Sequence, residues 1–144
     1  MTTIAWDGQT LAADRMISYG DSCYEITKIQ KFEDYFIGTT GTTIFGLQMV
    51  EWFKQGAIKE KFPSTIGESV YNQMIVIDKS KTIFLYECGY IPVKIESKQI
   101  AIGSGSSYAL AAMKTGMSAI EAVRLAIELD IYSGFGVDSL EHLQ

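Results

Sequence analysis

The 144-residue chain is long enough for one hydrophobic core but too short for two of ordinary size, and its 47% apolar and 20% charged residues are typical of a folded globular protein. The net charge of −5 and the scattered positions of the twelve Lys and Arg residues argue against a nucleic-acid partner, which would need a basic face. The sequence shows neither a membrane-spanning apolar run nor a secretory signal, so we expect a cytoplasmic protein with a single domain over residues 1–144, no membrane contact and two reduced thiols, Cys23 and Cys88.

The chain is predicted to open with a β-hairpin. In residues 3–14 the dipeptide Asp7-Gly8 separates two apolar runs, and it supplies the positive φ angles that a two-residue type I′ turn requires. A second extended stretch covers about residues 24–32, and a further strand around residues 35–37 leads into the small residues Gly38-Thr39-Thr40-Gly41. We expect this last segment to join a strand to the start of a helix.

One long helix and a group of strands follow. Apolar residues recur at helical spacing from Thr42 to Gln55, and Gly56 can close this helix as a C-cap. Residues 73–102 contain four short runs separated by turn residues, namely QMIVID, TIFLYEC, YIPVKI and QIAIG. We expect these four strands to form a meander.

Two helices are predicted near the end of the chain. A turn at Gly103-Ser104-Gly105 precedes a helix that ends at Gly116, and the capping box Ser118-x-x-Glu121 opens a second helix that continues to about Leu129. The order of strands, helix, strands, two helices and short strands predicts an α+β fold. It fits two mainly antiparallel sheets between helical layers better than a parallel doubly wound sheet.

The histidine content restricts the chemistry. His142 is the only histidine and lies near the C-terminus, where fraying is usual, so we expect neither a Ser-His-Asp triad, a Cys-His pair nor a zinc site built from His and Cys. Calcium-loop and P-loop motifs are absent from the sequence. The run GSGSS at residues 103–107 fits either a phosphate-binding turn or an ordinary tight turn before a helix. No metal or cofactor is therefore expected.

A base other than histidine is available in the chain's own α-amine. Its reference pKa of about 7.7 to 8.0 allows it to accept a proton near neutral pH. This chemistry requires a nucleophile at the mature N-terminus. Thr2 becomes such a residue if Met1 is removed, and an isolated Met-Thr start carries little weight by itself.

Five segments together resemble a known family. TTIAWDGQTLAAD, TKIQKF, YFIGTTG, IAIGSGSSYALAAM and DIYSG are similar, in this order, to the β-type proteasome and HslV peptidase family of N-terminal-nucleophile (Ntn) hydrolases. The resemblance implies a four-layer αββα sandwich and a threonine-type endopeptidase acting on polypeptides. It also implies a self-compartmentalised homo-oligomer, and it leaves room for an ATPase unfoldase partner.

The same resemblance implies roles for seven residues. Thr2 corresponds to the nucleophile, and Asp14 corresponds to the acid that holds the catalytic lysine, Lys28. Gly38 corresponds to the glycine whose N–H stabilises the oxyanion. The groups that orient the terminal amine and the threonine hydroxyl correspond to Ser104, Asp130 and Ser133.

Several alternatives stay open at this point. The chain could be a catalytically inactive proteasome-like subunit with a structural or binding role, or an Ntn amidase that acts on a small amide. Each site residue also fits an ordinary role as a surface, turn or cap residue. The chain is shorter than typical family members, so we expect GVDSLEHL to form a reduced version of their closing strands, and we expect activation by loss of Met1 alone.

Overall fold

The computed structural model describes residues 2–63 and 71–143, which contain eleven β-strands and three α-helices. The strands are β1 (Ile4–Trp6), β2 (Thr10–Asp14), β3 (Met16–Tyr19), β4 (Ser22–Glu25), β5 (Ile29–Phe32), β6 (Tyr35–Thr40), β7 (Gln73–Ile77), β8 (Ile83–Tyr86), β9 (Val93–Ile95), β10 (Ile100–Ile102) and β11 (Val137–Glu141). The helices are α1 (Thr43–Lys54), α2 (Ser106–Lys114) and α3 (Ala119–Leu129), with a short 3₁₀-helix at Lys59–Lys61. None of the helices in these two ranges is long and apolar enough to cross a membrane.

The strands form two main antiparallel sheets. The first sheet has the order β10-β1-β2-β11, and the second has the order β5-β6-β7-β8-β9. Strands β3 and β4 form a separate two-stranded hairpin. In the first sheet Ile4 lies opposite both Ala13 and Ile102, so the start of β1 is held between the end of β2 and the end of β10.

Large apolar side chains fill the space between the two sheets. They come from alternate strand positions, because alternate residues of a strand point to the same face. The first sheet contributes Ile4, Trp6 and Leu11, and the second contributes Phe36, Ile75 and Ile77. This core fixes the two sheets face to face.

Helices cover the outer face of each sheet. On the first sheet, α2 and α3 approach closely through short side chains, among them Ala5, Ala12, Ala109, Ala122 and Ala126. On the second sheet, α1 packs through larger side chains, among them Ile37, Phe45, Met49, Trp52 and Val76. The layers are therefore helix, sheet, sheet and helix, and the predicted αββα architecture is confirmed.

The predicted helices are confirmed together with their ends. The Thr42 hydroxyl caps α1 by accepting an N–H from the first turn at 3.3 Å, and Gly56 follows the helix with a φ of 103°. Ser118 and Glu121 form the predicted capping box of α3. Gly116, which follows α2, also has a φ of 103°. Positive φ at these positions carries no Cβ penalty in glycine.

The hairpin turn differs from the predicted one by one position. The Asp7 N–H donates to the Thr10 carbonyl at 3.2 Å, so the central residues are Gly8 and Gln9 rather than Asp7 and Gly8. Only Gly8 of these two has a positive φ, of 100°, which is the pattern of a type II′ turn. The Asp7 carboxylate accepts the N–H groups of Gln9 and Thr10, both at 2.8 Å, and this holds Asp7 outside the turn centre.

The extended stretch predicted at residues 24–32 is wrong as a single element. It is divided between β4, which pairs with β3, and β5, which pairs with β6 in the second sheet. Gly20, with a φ of 59°, lies in the turn between β3 and β4 that the sequence pattern did not reveal. The interval at residues 26–28 leaves the hairpin and brings Lys28 to the edge of the second sheet.

Two predictions near the C-terminus also need correction. Strand β10 does not complete the predicted meander, because it pairs with β1 in the other sheet. The predicted closing strand is β11, which pairs with β2. The prediction that the chain frays at His142 is wrong, because this residue is only 7% exposed. Its backbone N–H donates to the Gln9 carbonyl at 2.8 Å, and its ring packs edge-on against Trp6 and Phe36.

Candidate active site

Three polar side chains meet at the start of β1. Thr2 precedes β1, Asp14 ends the adjacent strand β2, and Lys28 precedes β5 of the facing sheet. The Lys28 Nζ donates to Thr2 Oγ1 at 3.0 Å and to the two Asp14 carboxylate oxygens at 2.9 and 3.1 Å. All three residues are buried. A threonine hydroxyl therefore lies beside an ammonium that is fixed by a carboxylate.

The Asp14 carboxylate is held rigidly in place. Its side chain is 0% exposed, and besides Lys28 it accepts the backbone N–H groups of Thr3, Met16 and Gly134 at 3.0, 3.1 and 3.0 Å. These N–H groups come from three different segments of the chain. These backbone hydrogen bonds thus fix the position of the Asp14 carboxylate relative to Lys28.

Burial and charge act in opposite directions on Lys28. Burial lowers its pKa from the usual 10.5, and this effect outweighs the neighbouring Asp14 carboxylate and the Asp130 charge, which both raise it. A lysine with a lowered pKa gives up its proton more readily than a surface lysine. The Asp14 contact favours the ammonium form of Lys28.

A second polar group surrounds the backbone nitrogen of Thr2. The Thr2 N–H donates to Ser104 Oγ at 3.1 Å. The hydroxyls of Ser104 and Ser133 both donate to Asp130 Oδ2, at 2.6 and 2.8 Å, and the Tyr132 N–H donates to Asp130 Oδ1 at 3.2 Å. Ser104 lies in the turn between β10 and α2, whereas Asp130 and Ser133 lie between α3 and β11. The nitrogen of Thr2 is therefore oriented through Ser104 by a buried carboxylate.

The turn that carries Ser104 closes directly on the backbone of Thr2. The Gly105 N–H donates to the Thr2 carbonyl at 3.2 Å. Gly103 has a φ of 97°, and a Cβ at this position would lie 2.0 Å from the Thr2 carbonyl oxygen. Only glycine fits here. This close approach explains the small-residue run better than the phosphate-binding alternative does.

The Gly38 N–H does not face the edge of β6 on which Lys28 lies. Gly38 lies inside β6, opposite Ile29 of β5 and Ile75 of β7. The N–H of the next residue, Thr39, points to the Lys28 carbonyl at 3.4 Å, so by strand alternation the Gly38 N–H points the other way, into the ladder with β7. That N–H is not available to an oxyanion beside Thr2.

Gly41 is placed differently. Its neighbour Thr40 pairs with Gln73 of β7, so the Thr40 carbonyl points to β7 and the Gly41 N–H points to the opposite edge, where Lys28 lies. Gly41 has a φ of 99°, and a Cβ there would lie 2.0 Å from the Asn72 side chain. Position 41 thus requires glycine and directs an N–H toward the side of the Thr2 cluster.

A cavity of about 300 Å³ opens beside Thr2 and Lys28. Its wall is formed by β6, by the segment before β5 and by one side of α1, and it includes Ile26, Ile37, Gly41, Leu47 and Val50. We call it the Thr2 cavity. It is large enough and apolar enough to receive a side chain of a ligand whose reacting atom lies at Thr2 Oγ1.

The site contains neither a histidine nor a candidate metal centre. His142 packs against Trp6 and Phe36, at the other end of β1 from Thr2. Within residues 2–63 and 71–143, no group of three or more His, Cys, Asp and Glu side chains could hold a metal ion. The polar side chains described around Thr2 are the Lys28 ammonium, the Asp14 and Asp130 carboxylates and the Ser104 hydroxyl.

Comparisons with known proteins bear on the family and the fold. None of the protein-family models matches the chain. The alignment of this chain with proteasome subunit beta 1 of Pyrobaculum aerophilum spans 170 positions at 29% identity, and it covers 92% of this chain and 83% of that protein. The predicted resemblance to the proteasome β-type and HslV-like family is confirmed.

Solved structures show the same fold. The Thiobacillus denitrificans BPH in complex with epoxomicin superposes with a TM-score of 0.73 at 24% identity, covering 99% of both chains. Eukaryotic HslV from Trypanosoma brucei gives a TM-score of 0.69 at 20% identity, covering 97% of this chain and 99% of that one. The αββα layers are therefore those of the proteasome and HslV Ntn-hydrolase fold.

In this proteasome-like and HslV-like fold, hydrogen bonds connect six of the seven predicted site residues, and the N–H of the seventh, Gly38, points toward β7. The sequence indicates only a turn at Gly41 and no role for Thr3. The second glycine of YFIGTTG was a visible signal for Gly41. Thr3 had no comparable signal, because its hydroxyl partner, Ser133, lies 130 residues away.

Proposed function

We propose that this chain, as one Ntn-hydrolase domain, is a threonine-type endopeptidase in which Thr2, exposed by removal of Met1, hydrolyses peptide bonds. The observation that carries the proposal is the 3.0 Å contact between Lys28 Nζ and Thr2 Oγ1, with Asp14 holding the lysine from the other side. A threonine hydroxyl is a poor nucleophile at neutral pH, and a neighbouring amine that removes its proton is an established solution.

Removal of Met1 would convert the Thr2 amide nitrogen into an α-amine at the position that now faces Ser104 Oγ. In the first step this amine accepts the hydroxyl proton while Thr2 Oγ1 forms a bond to the carbonyl carbon of the substrate. The Lys28 ammonium stabilises the developing negative charge on Oγ1. Burial lowers the pKa of Lys28, and the neighbouring Asp14 carboxylate acts against this effect and favours the ammonium.

We assign the stabilisation of the substrate oxyanion to the Gly41 N–H in place of that of Gly38. The direction of the Thr40–Gly41 peptide supports this, and a preorganised donor of this kind contributes about 10²–10³ in kcat. Collapse of the tetrahedral intermediate breaks the C–N bond, and the protonated amine gives its proton to the leaving nitrogen. Water then hydrolyses the threonyl ester, with the amine again taking and returning the proton.

The proposed substrate is a polypeptide, and the Thr2 cavity would receive one of its side chains. We further propose that the chain acts in the cytoplasm as a self-compartmentalised homo-oligomer, with an ATPase unfoldase as a further partner. The similar archaeal protein is named as a subunit, which supports an assembly. An enclosed site would also keep a small protease from cleaving other proteins at random.

The test compares wild type and Thr2→Ala on a panel of fluorogenic peptides and on an unfolded protein. We expect wild type to cleave both and Thr2→Ala to cleave neither, while circular dichroism shows that the variant is folded. More than a tenth of the wild-type rate in Thr2→Ala contradicts the nucleophile assignment. Turnover of small amides alone indicates an amidase, and a folded wild type without turnover or covalent labelling indicates an inactive subunit.

Light scattering tests the assembly separately. We expect a particle several times the 16.0 kDa of one chain at micromolar concentration. A monomer throughout that range contradicts the proposed compartment but leaves the chemistry at Thr2 standing.

A further inference from the structure

Thr3 joins the two halves of the candidate site. Its side chain is 0% exposed, its N–H donates to Asp14 Oδ1 at 3.0 Å, and its Oγ1 lies 2.8 Å from Ser133 Oγ. Asp14 belongs to the group that holds Lys28, and Ser133 belongs to the group that holds Ser104. One residue is thus hydrogen-bonded both to the hydroxyl half and to the amine half of the site.

The direction of each hydroxyl proton follows from its partners. An ionised carboxylate only accepts hydrogen bonds, so the single proton of Ser133 is used on Asp130 at 2.8 Å. Ser133 Oγ must then accept, and Thr3 Oγ1 must be the donor in the 2.8 Å contact between them. Ser104 likewise gives its proton to Asp130 at 2.6 Å and keeps a lone pair for the Thr2 nitrogen. The chain of donors runs from Thr3 through Ser133 to Asp130.

We infer that the Thr3 hydroxyl is a positioning group for the reaction at Thr2. By donating to Ser133 it holds the Ser133 proton on Asp130, and this fixes Asp130 so that Ser104 turns its lone pair toward the Thr2 nitrogen. Because Thr3 is also tied to Asp14, the amine and the hydroxyl of Thr2 keep a constant relative orientation. The inference rests on the proposed function, in which that amine accepts the hydroxyl proton.

The absence of a side chain at Gly105 permits the observed rotamer of Thr3. A Cβ at position 105 would lie 1.9 Å from Thr3 Oγ1 and 3.2 Å from Asp130 Oδ2. Gly105 therefore leaves room for the Thr3 hydroxyl to reach Ser133. The φ of Gly105 is −90°, so space around the Thr3 hydroxyl, and not backbone strain, requires glycine at this position.

Three variants of Thr3 distinguish the effect of its hydroxyl group from the effect of its side-chain shape. Thr3→Ser keeps the hydroxyl and loses the methyl, Thr3→Val keeps the shape and loses the hydroxyl, and Thr3→Ala loses both. We expect Thr3→Val and Thr3→Ala to lower kcat on a fluorogenic peptide by about 10- to 100-fold with KM within about twofold, because the misoriented amine matters only when the proton moves. Thr3→Ser should restore kcat to near the wild-type value.

Thr115→Val is the matched control. It removes a threonine hydroxyl that donates to the Ala112 carbonyl at 2.7 Å at the end of α2, away from the site, and it should leave kcat unchanged. A purely structural role for Thr3 predicts the opposite ranking, with Thr3→Val active and Thr3→Ser impaired in proportion to its melting temperature. That ranking, or normal kcat in both Thr3→Val and Thr3→Ala, overturns the inference about Thr3. The proposed function still stands in either case, provided that the wild-type protein turns over the peptide.

A second pair of variants tests the same contact from the other side. Gly105→Ala should displace the Thr3 hydroxyl and lower kcat as Thr3→Val does, whereas Gly89→Ala, where a Cβ meets nothing within 4 Å, should have no effect. Normal kcat in Gly105→Ala counts against the inference. A wild-type protein that neither turns over peptides nor labels at Thr2 overturns the proposed function and this inference with it.

Discussion

Replacing Lys28 should lower both the turnover and the stability of the protein. Among the described residues, the Lys28 Nζ contacts Thr2 Oγ1 at 3.0 Å and the two Asp14 oxygens at 2.9 and 3.1 Å, and the lysine side chain is almost completely buried. Lys28→Met keeps much of the buried volume but removes the charge. Asp14 is then left in the interior with its three backbone N–H donors and no cation.

Two magnitudes follow from these contacts. Breaking a buried ion pair by removing one partner costs about 3–5 kcal/mol of unfolding free energy, and the three remaining N–H donors to Asp14 favour the lower end, about 3 kcal/mol. Loss of one preorganised group that stabilises transition-state charge costs about 10²–10³ in kcat. Lys28→Arg should not restore turnover, since a planar guanidinium cannot replace a compact ammonium in this position.

The assay measures kcat on a fluorogenic peptide and the free energy of unfolding by urea titration for each variant. Lys114→Ala, an exposed lysine on α2, is the control and should change stability by no more than about 0.5 kcal/mol and leave kcat unchanged. Near-normal kcat in a folded Lys28→Met would contradict the proposed role of Lys28, because Thr2 Oγ1 would then need no ammonium. Near-normal kcat in Lys28→Arg would refute the geometric part alone.

Three further outcomes are expected. Burial lowers the pKa of Lys28 below 10.5, so between the folded-state pKa and pH 10.5 the unfolded chain binds more protons than the folded chain. In that pH range the unfolding free energy of wild type should therefore rise with pH relative to that of Lys28→Met. An equal pH dependence in the two proteins would contradict this. Activity should decline on the alkaline side below pH 10.5 as Lys28 loses its proton, which a pH series of kcat measures. Val50→Phe, which narrows the Thr2 cavity, should lower kcat/KM for peptides with a bulky side chain at the cleavage site more than for alanine peptides, and an equal loss for both would exclude the cavity as the side-chain site.

Local patterns were sufficient for the elements whose signals lie close together in the chain. The helix α3 follows from the Ser118 and Glu121 capping box, and α1 follows from its apolar spacing and Gly56. Strand pairing was not accessible in the same way. Strand β10 pairs with β1, which lies near the N-terminus, and nothing in the sequence QIAIG indicates that β1 is its partner.

The candidate site shows the same difference between features that the sequence reveals and features that depend on strand pairing. The order of the motifs identified Thr2, Asp14 and Lys28, which the structure brings within hydrogen-bonding distance, and their catalytic roles stay predictions. The choice between Gly38 and Gly41 could not be made from the sequence. It depends on which edge of β6 each N–H faces, and this is set by pairing with β5 and β7.

The chemical state of Thr2 decides whether this residue acts as the nucleophile. Intact mass and peptide mapping should be recorded before and after treatment with epoxomicin, the compound bound by the similar Thiobacillus denitrificans protein. We expect a mature chain that begins at Thr2 and carries the adduct on Thr2, with no adduct in Thr2→Ala. Quantitative retention of Met1, or an adduct on any other residue with Thr2 unmodified, would contradict the assignment of Thr2 as the nucleophile.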